Sequence, residues 1–373
     1  AGGVSKRSAN ALNAIHESTG KGELIEDVLL TDAFLDYLFY ATNVAKSAQK
    51  WLYAGNSYKA GQLSDEQVSA WLSAVKNNDN FTFVKNLSGE NALFKQTSAR
   101  VAHVIEAGVD KHNMVELHRL AINAQRLRIL PVFQDGIFVN IPSYELNYYR
   151  DGQVVLSSRV IVGQSNRKTP VMSSRLSNVV VNPPWNAPTR LINEDIIPKV
   201  RKDPSYIYRH GYTIIDGSGN TIDPYTIDWE NMSAKRFPYR LRQAPSDNSA
   251  LGNYKFNMPS SEAIYLHDTP KRNLFGNKNR ALSSGCVRVE KSDQLATILL
   301  KEAGWTDERK QNVLKSKKTT SAGIKSDNPV FLYYVTAWVD KDQVHTLPDI
   351  YGYDKTPDLS YINWDILKHY IQR

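Results

Sequence analysis

The chain has 373 residues, 41% of them hydrophobic and 23% charged, with a formal net charge of +8 and a single cysteine, Cys286. That length suits two domains with real cores, and no apolar run approaches the roughly 18–20 residues that span a bilayer. One cysteine excludes an intrachain disulfide framework, a cysteine-rich zinc site and a cysteine-ligated iron–sulfur cluster, and a lone thiol is more often an inert core residue than a nucleophile.

No apolar segment follows Ala1–Arg7, so no signal peptide is expected there. The first third reads as helices. Ile25, Val28, Leu29, Phe34, Leu35, Leu38 and Phe39 recur mostly at steps of three, four or seven. Ser64-Asp65-Glu66-Gln67 is a capping box, and Val68, Trp71, Leu72 and Val75 continue that helix. Further helices are predicted from about Ser98 to Gly108 and from about Val115 to Leu130.

Near residue 132 the period changes to two. Ile137–Ile141, Glu145–Tyr149, Val154–Leu156, Arg159–Gly163 and Asn178–Val181 read as strands, with Asp151-Gly152 as a hairpin turn. Residues 183–250 are rich in proline and aromatics, among them Trp185, Tyr206, Tyr212, Trp229 and Tyr239. Two readings stand open for them: a lid or binding insertion, and a surface subdomain with its own aromatic core. Strand pattern resumes at Tyr254–Phe256 and Ala263–His267, a helix follows near Ser292–Ala303, and one last strand is predicted over Val330–Val339.

The chemistry concentrates around the cysteine. His267 closes an alternating strand nineteen residues before Cys286, which sits behind a Ser283-Ser284-Gly285 turn. A free thiol is mostly protonated at neutral pH, so a nucleophilic one needs a base or cations nearby. Between Thr269 and Val289 stand Lys271, Arg272, Lys278, Arg280 and Arg288, with no acid; such a field favours thiolate and draws in carboxylates. Gly285 frees the backbone to approach a substrate, and Tyr265 shares a strand face with His267. The plainer reading of the same residues is a buried spectator thiol, a hydrogen-bonded histidine and a solvated basic loop. The eight histidines are scattered, with His112 and His118 off a common helix face, and no glycine-rich phosphate loop precedes a helix; neither a metal nor a cofactor is expected. A pI of 9.2 raises nucleic-acid binding, but no such motif or dense basic helix accompanies it.

Ser283-Ser284-Gly285-Cys286-Val287-Arg288, with His267 upstream, resembles the nucleophile motif of the L,D-transpeptidases with a YkuD-type catalytic domain, nearest the YcbB-type periplasmic enzymes of Gram-negative bacteria. Asn140–Pro142, Arg159–Gly163, Val181–Asn186 and Tyr254–Ser261 support the likeness, which is strong over about 115–373. It implies an α+β chain: a helical scaffold over 1–130, then a β-rich catalytic domain over 131–373 with a capping subdomain at about 183–250. It also implies Cys286 as nucleophile and His267 as base, with the Asp268 backbone carbonyl orienting the ring. Gly285, Cys286 and Tyr265 are then expected at the oxyanion, and Arg288, Ser284 and Trp185 on the substrate. The implied partners are peptidoglycan tetrapeptide stems as donor and acceptor, and carbapenems as inhibitors; the implied compartment is the periplasm. Two departures stand out. Ser284 replaces a histidine that many members carry, and the helices before Leu130 leave no room for the small peptidoglycan-binding module usual in YcbB-type proteins. The alternatives are a non-catalytic peptidoglycan-binding scaffold and an L,D-carboxypeptidase using the same site.

Overall fold

A computed structural model describes residues 2–53, 58–325, 327–355 and 358–371. The chain divides into two compact units, Ala1–Gln134 with Tyr333–Arg373, and Asp135–Leu332. It is α+β, and among the described residues no helix is long and apolar enough to cross a membrane.

The first unit holds α1 (Gly2–Ser18), α2 (Glu23–Trp51), α3 (Asp65–Lys76), α4 (Asn80–Asn86), α5 (Ala92–Ala107) and α6 (Met114–Arg128). The Ser64–Gln67 capping box forms as expected at the start of α3. The helix predicted from Ser98 begins at Ala92, because Asn91 caps it by accepting from the Leu93 amide at 2.9 Å. Tyr40, Val44, Ala48, Trp51, Leu52 and Ile122 form one core cluster. The early apolar positions of α2 do not join it: Ile25 is 50% and Val28 59% exposed.

Residues 333–373, expected within the catalytic domain, share a compact unit with the N-terminal helices. The single strand expected over Val330–Val339 is two strands in different sheets, Pro329–Tyr333 and Ala337–Asp340. Tyr334, Val335 and Thr336 between them are fully buried, so no exposed residue marks the break. The second strand pairs with Gln343–Thr346, and its Ala337 and Val339 pack on Leu120.

The second unit is built on an eleven-stranded sheet. Its strands are β1 (Gly136–Asn140), β2 (Glu145–Arg150), β3 (Gln153–Gly163), β4 (Met172–Arg175) and β5 (Asn178–Val181), then, past the insertion's β6 (Trp185–Asn186), β7 (Tyr212–Ile215), β8 (Thr221–Ile222) and β9 (Arg240–Gln243), β10 (Tyr254–Asn257), β11 (Leu266–His267), β12 (Ala281–Ser283), β13 (Val287–Val289), β14 (Thr320–Gly323) and β15 (Pro329–Tyr333). The order is β14-β5-β10-β11-β13-β3-β2-β1-β15-β4, with β12 beside β3. Val154–Leu156 and Arg159–Gly163 fuse into one long β3, and Asp151-Gly152 turns with both φ positive, as a tight two-residue hairpin requires. Only Leu266 and His267 of the predicted Ala263–His267 strand join the ladder, since Ala263 lies at φ 51°.

The insertion has its own four-stranded sheet, β6-β9-β7-β8. It also has its own core of Ile192, Ile196, Ile197, Val200, Ile207, Ile214, Ile227, Trp229 and Leu241. The subdomain reading of residues 183–250 therefore holds for its interior, while two of its edges reach the residues around Cys286.

Candidate active site

Register places the site. β11 runs parallel to β13, pairing Leu266 with Val287 and His267 with Arg288, while β10 runs antiparallel and pairs Lys255 with His267. Side chains alternate faces along a strand. Tyr254, Phe256, Leu266, Val287 and Val289 are buried on one side, and Lys255, Tyr265, His267, Cys286 and Arg288 gather on the other.

Cys286 is a partly exposed free thiol. The Tyr265 backbone and the Tyr265 hydroxyl are hydrogen-bonded to Sγ, and the Trp185 side chain is hydrogen-bonded to the same hydroxyl. An indole nitrogen only donates, so the chain runs from Trp185 N–H to Tyr265 O–H to sulfur. Tyr265 thus lies on the thiol rather than standing free at an oxyanion position, and Trp185 reaches the site through Tyr265. Burial pushes the thiol up from its ordinary value; the Tyr265 groups, Lys255 and Arg288 pull the other way, and burial prevails.

His267 is buried at the end of β11. Its Nδ1 is paired with the Asp268 carbonyl oxygen. A carbonyl only accepts, so Nδ1 carries the proton and Nε2 is left as the basic nitrogen. Burial lowers the imidazole to about 4, with Arg288 and Lys255 adding to the effect and the Asp268 carbonyl opposing it. The Asp268 carboxylate is otherwise engaged: it accepts from the Asn253 amide at 2.9 Å, Ser292 Oγ at 2.7 Å and Arg272 at 3.1 Å. These bonds tie the strand end to Asn253, Arg272 and Ser292.

The nucleophile turn is held from several sides. Ser283 Oγ donates to the Cys286 carbonyl at 2.6 Å and accepts the Gly285 N–H at 3.2 Å. The Gly285 amide, expected at the oxyanion, is therefore spent inside the turn; among the described residues the Cys286 N–H meets no backbone or side-chain acceptor. Gly285 lies at φ 125°, and a Cβ there would stand 3.3 Å from Ile264 Cδ1. Thr169 Oγ1 donates to the Gly285 carbonyl at 2.7 Å and accepts the Gly163 N–H at 2.8 Å. Ser284 is exposed, and its Oγ accepts from Arg167 at 3.0 Å.

Arg167 was not singled out by the sequence. Its nearly buried guanidinium also binds Asp195, at 2.8 and 3.0 Å, and Glu194. Both acids sit on a single π-helical turn of the insertion, Ile192–Ile196. Arg167 holds both carboxyls below their usual range. The insertion is thus tied to the nucleophile turn by Arg167 and to the thiol by Trp185. Thr169 and Lys255 were likewise missed; Lys255 carried a readable signal as the one charge between two buried aromatics on a strand.

Arginine, lysine, histidine and tyrosine grouped at one thiol make a site suited to acyl transfer. The catalytic-domain model of the L,D-transpeptidase family, YkuD, matches residues 134–303. A Haemophilus influenzae protein named "Putative L,D-transpeptidase" is 60% identical over 372 residues, which span 100% of this chain and 75% of that one. The chain belongs to the L,D-transpeptidase family. Solved structures match over about half of it. One titled as the Ldtfm–avibactam carbamoyl enzyme has 12% identity and a TM-score of 0.25, covering 55% of this chain and 50% of that one. The catalytic domain of the E. faecium L,D-transpeptidase acylated by ertapenem has 13% identity and a TM-score of 0.25, covering 54% and 98%.

Proposed function

We propose that this chain is a periplasmic peptidoglycan L,D-transpeptidase that forms 3→3 cross-links through a thioester on Cys286. The observation that carries the reading is the placement, on one sheet face, of the Cys286 thiol and of a His267 whose Nδ1 is locked on the Asp268 carbonyl. Cys286 Sγ attacks the carbonyl at the L-centre of a donor diaminopimelate. The thiol proton passes to His267 Nε2 and on to the departing D-alanine nitrogen as the C–N bond breaks. The Cys286 N–H supports the oxyanion. A second diaminopimelate then attacks the thioester with its side-chain amine, gives a proton to His267, and releases the thiol with the cross-link formed. Trp185, on the edge of the insertion, closes over the donor, and Ser284 and Arg288 face it.

Disaccharide tetrapeptide incubated with the enzyme is expected to yield a dimer with loss of D-alanine, and Cys286→Ala to yield none. Release of D-alanine without dimer assigns the site to a carboxypeptidase. Meropenem is expected to leave a covalent adduct on Cys286; full activity in Cys286→Ala overturns the mechanism.

A further inference from the structure

Two cations stand beside the nucleophile with no anion of the protein to meet them. Lys255 and Arg288 flank His267 in adjacent strands, one on each side. Both are partly buried, and burial pulls both below their ordinary values. Among the described residues neither makes an ion pair, and the one anion that raises either is the Cys286 thiolate. The carboxylate next to His267 in the chain, that of Asp268, is saturated by Asn253, Ser292 and Arg272. Lys255 Nζ lies 4.4 Å from the centre of the Tyr265 ring, a contact that holds an ammonium in place without neutralising it.

Partly buried charge is costly unless paired. With the thiol protonated and the imidazole neutral, nothing in the free site offsets two positive charges, and even a thiolate offsets one. We propose that Lys255 and Arg288 form an anion subsite that takes a carboxylate of the acyl donor. The proposal rests on the reading of Cys286 as the nucleophile. A tetrapeptide donor brings two such groups within one residue of the scissile carbonyl: the terminal D-alanine carboxylate, one residue past it, and the carboxylate at the D-centre of diaminopimelate.

The test compares two alkylating agents of similar size on the full chain, anionic iodoacetate and neutral iodoacetamide, followed on Cys286 by mass spectrometry. The ratio of the two rates cancels the thiolate fraction and reports local anion preference. Lys255→Met is expected to lower that ratio about tenfold, the effect of one nearby charge partly screened by solvent, and Lys255→Arg to restore it. An unchanged ratio in a folded Lys255→Met overturns the subsite. If Lys255→Met does not fold, the wild-type chain decides: N-acetyl-D-alanine is expected to slow iodoacetamide, and N-acetyl-D-alaninamide is not, while equal effects of the two overturn it. Donors amidated at one carboxylate or the other then identify the ligand, as the amidation that removes the Lys255 dependence of donor KM. A chain that fails to cross-link yet keeps the ratio effect retains the subsite and loses the transpeptidase reading.

Discussion

His267 supplies the sharpest test of how the thiol is activated. An imidazolium paired with a thiolate would titrate above the ordinary 6.5, whereas burial here brings the ring to about 4. The difference between those two values corresponds to about 3 kcal/mol against protonation in the folded state. At pH 6 it leaves about 1% of the ring charged, where an ordinary histidine would be about three-quarters charged. The sign follows. Between 6.5 and about 4 the unfolded chain holds a proton that the folded one does not, so this contribution to stability is full above 6.5 and is lost as pH falls toward 4. The assay is NMR of histidine-labelled enzyme, with the His267 signals assigned through His267→Gln and titrated from pH 8 to 4. A midpoint near 4 is expected, together with a rate of Cys286 alkylation by iodoacetamide that keeps climbing past pH 9, since the thiol too is raised. A His267 midpoint at or above 6.5, or an alkylation rate that is flat from pH 5 to 8, refutes general-base activation of a neutral thiol.

The supports of the site make three further predictions. Asp268→Asn is expected to cost about 1–3 kcal/mol, because an amide cannot accept all three donors now on the carboxylate, while kcat stays within about threefold; a thousandfold loss of kcat would show that the carboxylate itself serves the imidazole. Gly285→Ala at φ 125° is expected to strain the turn by about 1–3 kcal/mol and to slow meropenem acylation at least about tenfold, read by mass spectrometry. Arg167→Gln unties Ser284 from Asp195 and Glu194, and is expected to raise donor KM about tenfold with little change in the thermal midpoint; a KM unchanged from wild type removes the tie from substrate capture.

Local signals were legible in the sequence where one residue type meets one physical demand. The Ser64 box, the Asp151-Gly152 turn and the alternation that set His267 at a strand end each depend on a few neighbours. Cys286, His267 and Asp268 stood out as candidates because motif and neighbourhood agree, and the strand register brings them to one end of the sheet. Groups that act across the fold were not legible. Arg167 meets Glu194, Asp195 and Ser284 over separations of 27, 28 and 117 residues, and Thr169 reaches Gly285 over 116. The change of unit near residue 333 was hidden for a related reason: both sides of the break are buried, in different cores, and hydrophobic pattern alone does not say which core.

That break fixes how the chain enters and leaves the catalytic unit. Its first strand, β1, and its last, β15, are neighbours in the sheet, and Gly136 approaches Pro329 so closely that a Cβ would stand 2.4 Å from the Pro329 carbonyl oxygen. The chain therefore enters and leaves the catalytic unit side by side, like a cassette spliced into a loop of the helical unit. Exchange of such a cassette between relatives needs two adjacent cuts, near 134 and 333, and a truncation of the C-terminal tail strikes the host rather than the cassette.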